Sequence, residues 1–213
     1  ITCKNLLSMN SGLDDSLGDA ISAVNLQYIA DAGDRWAYHN VYVKLQDVVA
    51  QASGDSWSNY FDTRLKNRIG MSGAWIQSGD FSVFWSNTRS MARFGLLTYA
   101  KGKWENEQII PEAYEYNAVN TSQSINEAYG YMWWLNGKST YRLPQSQFEF
   151  PGEFIPNGPS DMYCALGKDD QKIYVVPSKK LIVIRMGNPA DDQIFGLSNF
   201  DSELWIKINA LTD

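Results

Sequence analysis

The sequence predicts an α+β fold in which an antiparallel sheet with flanking helices follows a largely helical region. Three observations predict it. Apolar residues recur at the spacing of one helix face through much of residues 41–118. From residue 129 the pattern changes to short runs rich in β-branched and aromatic residues. A helical period returns only at the C-terminus, so the order is helices, strands, helix. An alternating β-α-β series would have implied a parallel sheet instead. The chain therefore divides into a mostly helical region, 1–128, and the strands and terminal helix of the same α/β domain, 129–213.

Taken in order, Ile1 to Leu7 opens as a helix, and residues 14–35, with Gly18, Gly33 and several Asp, read as loop. From Val41, the residues Leu45, Val48, Val49 and Ala52 form one apolar stripe, which Gly54 terminates. Ser56 can cap a second helix carrying Trp57, Tyr60, Phe61 and Leu65, ended by Gly70. A loop containing Gly73 and Gly79 follows. A third runs from about Thr88 through Met91, Phe94 and Leu97 to Gly102, and Pro111 opens a short fourth at its first helical position. Strands are expected at Tyr131–Leu135, Met162–Leu166, Ile173–Val176 and Leu181–Met186, the last two joined by a hairpin connection at Pro177–Lys180. The Pro- and Gly-rich stretch Pro144–Asp161 reads as a surface excursion. Asp201 or Ser202 caps a last helix with Leu204, Trp205, Ile208 and Leu211 on its apolar side.

Composition excludes several function classes. The 213 residues carry 18 Lys and Arg against 24 Asp and Glu, a net charge of −6, with no basic footprint for nucleic acid. No apolar run approaches the roughly 18 residues of a membrane span. The single histidine, His39, excludes a multi-histidine zinc site, and no other metal or cofactor motif is present. Cys3 and Cys164 read as two free buried thiols, with a bridge between them as the alternative. The adjacent acids Asp14-Asp15, Asp169-Asp170 and Asp191-Asp192 would point to opposite faces of a strand, which argues for solvated turns over a catalytic dyad.

Several ordered blocks together resemble the serine β-lactamase-like hydrolases: class C β-lactamases, D-Ala-D-Ala carboxypeptidases, esterases and 6-aminohexanoate-dimer hydrolases. Residues 1–13, from Ile1-Thr2 to Ser11-Gly12-Leu13, resemble the family's I-T-x-x-x-L-L-x-x-x-S-G-L segment. Tyr38-His39-Asn40, with the helix ending at Gly54, resembles its Y-x-N motif and following helix. Ile69-Gly70-Met71 is similar to L-G-M, and Met91 to Leu97 to L-A-R-F-G-x-L. Tyr129 to Trp134 is similar to Y-G-Y-G-W-W. Residues 165–184, through Gly167, Gln171 and Pro177, resemble A-x-G-x-x-G-Q-x-I-x-V-x-P-x-x-x-L-V-V-V.

The resemblance implies a β-lactamase/transpeptidase-like fold and acyl transfer through a serine acyl-enzyme on a small ester or amide, without a cofactor. The family's nucleophile lies in an S-x-x-K motif upstream of the first block. No serine here has Lys three residues later, and Thr63–Lys66 and Thr98–Lys101, of T-x-x-K form, lie on expected helices. The chain therefore reads as a C-terminal portion whose partner is an N-terminal segment of the same polypeptide carrying S-x-x-K. By itself it is expected to be inactive. The resemblance also favours a periplasmic or secreted location.

The site residues are carried over by motif. Tyr38 would shuttle the proton of the serine hydroxyl, helped by lysine cations that lower its pKa. Asn40 would offer its amide to substrate or lysine, or else cap the helix. Gly167 would let substrate approach the strand, and the backbone N–H of Lys168 would be an oxyanion donor. One of Trp133 and Trp134 would face the substrate cleft and the other the core. His39 is expected at the surface or behind the site. Two positions depart from the pattern: Ala165 stands where relatives carry Lys or His, and Asp170 where they carry Gly. The rival readings are a non-catalytic binding protein of this fold or a proteolytic fragment of it, and, further off, carbohydrate binding through exposed Trp.

Overall fold

Thr2 starts the first helix, α1 (Cys3–Leu7), through a reciprocal cap: its hydroxyl accepts the Asn5 N–H, and the Asn5 carboxamide accepts the Thr2 N–H. The computed structural model describes residues 1–190 and 199–212. Helix α2 (Val41–Ser53) ends where Gly54 turns into the left-handed region at φ 70°. Ser56 caps α3 (Trp57–Phe61), which runs on into a π-helical turn, Asp62–Lys66.

The expected loop around Gly73 and Gly79 is instead a β-hairpin. Strands β1 (Gly73–Ser78) and β2 (Phe81–Ser86) pair antiparallel, with Ser78 opposite Phe81 and a two-residue Gly79-Asp80 turn between them. Its inner face carries Trp75 and Phe84, which pack edge to face with Phe61. Two glycines masked an alternating pattern whose apolar members are aromatic. Helix α4 (Thr88–Tyr99) follows, capped by Asn87. A minimal hairpin, β3 (Lys103–Trp104) and β4 (Glu107–Gln108), stands where no strand was expected. In α5 (Glu112–Ala118), Pro111 occupies the cap rather than the first helical position.

The main sheet has the order β10-β9-β8-β5, every pair antiparallel. Its strands are β5 (Trp134–Leu135), β8 (Tyr163–Leu166), β9 (Lys172–Val176) and β10 (Leu181–Arg185); β6 (Thr140–Tyr141) and β7 (Phe150–Pro151) form a separate short pair. The expected strand at 131–135 shrinks to two residues. Met132 adopts φ 60° and donates its N–H to the Leu7 carbonyl at the end of α1, so it leaves the ladder.

Alternation along β9 divides the core. Tyr174 and Val176 face α6 (Asn199–Thr212), where Trp205 meets the Tyr174 ring edge-on at 5.5 Å. Ile173 and Val175 face the opposite way, toward Phe94 of α4, and Gly95 lets that helix sit directly on Ile182. The excursion 144–161 is anchored rather than superficial, because Phe154 and Ile155 are buried in the first of these cores. Asp201 lies inside the first turn of α6, not at its cap, and is buried. The expected pair Asp191-Asp192 lies outside the described residues.

Candidate active site

Tyr38 sits on a short segment before α2, and the Trp36–Ala37 peptide just ahead of it is held on both sides. The Ala37 N–H donates to the Met9 carbonyl at 2.7 Å, and the Gln147 side chain donates to the Trp36 carbonyl at 2.8 Å. The Tyr38 ring stacks on Trp134 at 5.9 Å and meets Tyr129 edge-on at 6.1 Å. Trp134 in turn lies flat on Phe154, with centroids 4.5 Å apart and planes 3° apart. This belt covers the sheet face that also carries Cys164 and Leu166. Burial raises the Tyr38 phenol above its ordinary 10. Desolvation works in the same direction on two neighbouring phenols, Tyr129 and Tyr42, the latter pushed up to about 12. Within this chain Tyr38 is thus a protonated phenol, and lowering its pKa would take a cation brought from elsewhere.

Gly167 and Lys168 follow directly from β8. Cys164 pairs across the ladder with Trp134, whose ring stacks on Tyr38, and β8 ends at Leu166, two residues before Lys168. Gly167 is extended, at φ −107° and ψ 167°, and donates its N–H to the Gln171 carbonyl at 2.8 Å. Lys168 is exposed, and its backbone N–H makes no hydrogen bond among the described residues. A short 3-10 turn, Lys168–Asp170, then reverses the chain into β9. Asp170 takes φ 58°, the left-handed conformation a glycine would supply, so the departure from the family's Gly leaves the turn intact. Ala165 packs into the core on the α4 side of the sheet, opposite the face that holds Tyr38.

Asn40 closes the segment that carries Tyr38. It occupies the cap position of α2 but makes no side-chain cap; its amide donates to the carbonyls of Asp19 at 3.0 Å and Asp80 at 3.4 Å. It ties the loop before α2 to the turn of the β1–β2 hairpin. Trp133 and Trp134 do separate across the sheet, yet both are buried. Trp134 joins Tyr38, while Trp133 stacks on Phe94 of α4 at 6.1 Å. His39 is buried rather than at the surface. Desolvation lowers its pKa, against the pull of Asp15 and Asp19, so it is a neutral interior imidazole. Both cysteines are free thiols, and Cys3, expected to be buried, is exposed.

Sequence reasoning missed a charged array beside Lys168. The Lys172 side chain is fully buried, its ammonium 2.9 Å from Asp170 and 2.8 Å from Asp201. The Tyr174 hydroxyl donates to Asp201 at 2.5 Å. Asp170 was expected in a solvated turn, as was Asp15, which is buried against Arg35 at 2.8 Å. The signal was a lysine inside the run Lys172–Val176, where two acids on other elements could reach it. Among the described residues, no group of three or more His, Cys, Asp or Glu could hold a metal, and no helix is long and apolar enough to cross a membrane.

With this geometry in place, comparison with known proteins gives a consistent answer. The β-lactamase family model matches residues 1–193. Among solved structures, a Bacillus anthracis protein assigned as a 6-aminohexanoate-dimer hydrolase superposes with a TM-score of 0.70 at 15% identity, over 99% of this chain and 60% of that one. A β-lactamase from Mycobacterium bovis gives 0.67 at 16% identity, over 99% and 72%. EstCE1, a hydrolase with promiscuous acyltransferase activity, gives 0.65 at 13% identity, over 100% and 72%. Comparison with curated proteins yields no significant match. At such identities the superpositions speak for the fold, and this chain spans 60–72% of the length of these relatives. The antiparallel sheet, its flanking helices and the match over residues 1–193 lead to one conclusion: the chain belongs to the β-lactamase family and has the β-lactamase/transpeptidase-like fold.

Proposed function

We propose that this chain is the C-terminal part of a serine hydrolase that cleaves a small ester or amide through an acyl-enzyme. The nucleophilic serine and its lysine are assigned to an upstream segment of the same polypeptide. The reading rests on family membership, and one observation carries it to particular atoms: the Lys168 N–H, just beyond β8, has no hydrogen-bond partner among the described residues. A backbone donor with no internal partner suits an oxyanion that forms only during reaction.

In this mechanism the upstream serine attacks the carbonyl carbon. The Lys168 N–H and the serine's own N–H hold the oxyanion as it develops. Tyr38, whose phenol is protonated in this chain, passes the hydroxyl proton to the leaving group once the upstream lysine lowers its pKa. Collapse expels the alcohol or amine, and water then hydrolyses the acyl-enzyme by the same route. Gly167 leaves the strand end open to substrate: a Cβ there would meet only Gln171, at 3.4 Å. Asn40, with its amide engaged by two carbonyls, supports the site by fixing the segment that bears Tyr38. Without a cation at Ala165, the substrate is expected to need no carboxylate. This separates the chain from β-lactamases that hold one there.

The test is Tyr38→Phe in the polypeptide that includes the upstream segment. It removes a hydroxyl and keeps the ring stacked on Trp134. General acid–base groups contribute about 10²–10⁴-fold, so kcat should fall at least about 100-fold with the fold retained. An unchanged kcat would assign proton transfer to another group. No acyl adduct in the parent protein would favour a binding protein of this fold.

A further inference from the structure

The turn that presents the Lys168 N–H is built in an unusual way. Asp169 and Asp170, at φ 57° and 58°, are consecutive non-glycine residues in the left-handed region. A hairpin that needed only to reverse direction would use glycine at such positions. Here the conformation is held from outside instead. One Arg185 guanidinium nitrogen, on β10, donates to the carbonyls of Asp169 at 3.0 Å and Asp170 at 3.1 Å. The Gln171 side chain donates to the Asp169 carbonyl at 2.8 Å and accepts the Gly187 N–H at 3.1 Å. The Asp170 carboxylate accepts the Ala190 N–H at 2.7 Å and pairs with buried Lys172, which is anchored in turn to Asp201 of α6. None of these bonds uses the Lys168 N–H. They fix the residues that follow it and leave that donor without a partner among the described residues.

We propose that Arg185 and the Asp170–Lys172–Asp201 array are positioning residues that hold the Lys168 N–H in place for the reacting carbonyl. The inference rests on the reading of that N–H as an oxyanion donor. A hydrogen-bond donor stabilises developing charge only when it is already aimed at it, since reorienting it during reaction consumes the benefit. A two-residue left-handed turn has other backbone states open to it. Tethers from β10, from α6 and from the chain near Ala190 remove them. The array thereby links the C-terminal helix to the atom that binds the oxyanion.

Arg185→Gln in the polypeptide with the upstream segment tests this, because Arg185 is only part-buried and its loss empties no core. Backbone ¹⁵N relaxation should show the Lys168–Asp170 amides falling from order parameters of about 0.85 to below about 0.6. The kcat should fall about 10–100-fold with KM within about twofold, since misplacing a catalytic group by about 1 Å costs on that order. Arg185→Lys, which restores one donor, should recover part of it. A second variant, Asp170→Gly, suits the backbone angle but removes the tether, and should show the same kcat loss. If only the angle mattered, this variant would be fully active, and that result overturns the proposal. So do unchanged order parameters, or a loss that follows melting temperature and not kcat. Lys168→Pro separates the two levels. If it keeps full kcat while remaining folded, the oxyanion reading itself fails. If it loses kcat while Arg185→Gln does not, only the positioning proposal fails.

Discussion

Glu115 offers a sharp test of how this core is held together. It lies on α5, only 4% exposed, and its Oε2 is buried with no hydrogen-bond partner among the described residues. Burial raises its pKa from 4.5 to about 7. In the unfolded chain the carboxyl titrates at its ordinary value. Between pH 4.5 and 7 the native state therefore binds a proton that the unfolded state lacks, so stability falls as pH rises through that window. Below it the group contributes no penalty, and above it the penalty is complete. At 1.36 kcal/mol per pH unit, the span of about 2.5 units gives about 3 kcal/mol, an upper figure because nearby solvent relaxes part of it. Glu115→Gln keeps the shape and removes the titration. Urea unfolding of parent and variant at pH 4.5 and pH 8 is the assay. The two should have similar stability at the lower pH, and the variant should be more stable by about 2–3 kcal/mol at the higher. Parallel pH–stability curves for the two proteins would refute the argument.

Other substitutions probe other parts of the reasoning. Lys172→Ala removes the ammonium between Asp170 and Asp201, and the loss of one partner of a buried ion pair should cost about 3–5 kcal/mol by denaturant unfolding. Gly95→Val places a Cβ 2.8 Å from the Ile182 Cγ2, so α4 must move off the sheet; a loss of about 1–3 kcal/mol should appear as a lowered Tm. The 213-residue chain alone, treated with a nitrophenyl ester, should show no stoichiometric acyl adduct in its intact mass, and an adduct would mean that the nucleophile lies within it.

The helices were legible because their signals are local. Ser56 and Gly54 act within one turn of themselves, and each does in the structure what its residue type suggests. The hairpin β1–β2 was not, because its two glycines resemble a loop when read one residue at a time. Its strand character lies in the cross-strand partners Trp75 and Phe84, which no single segment displays. The strand expected from Tyr131 failed for a related reason. Met132 leaves the ladder to bond Leu7, some 125 residues away in sequence. Where an element's partner is remote, periodicity describes its surface and leaves its pairing open.

The site divides along the same line. Tyr38, Gly167 and Lys168 are proposed because a motif carries their identity, and Tyr38 packs against the core that also holds Cys164 and Leu166 of β8. The array around Lys172 carries no motif. A lysine in an apolar strand and an acid in the first turn of a terminal helix are ordinary residues until the fold buries one against the other. Removing two such charges from water is costly, and many cores achieve comparable stability with apolar side chains in their place. Retaining the array therefore calls for a reason beyond stability. Its position supplies one: it ends on the turn that follows the Lys168 N–H, and through Asp201 it ties that turn to α6.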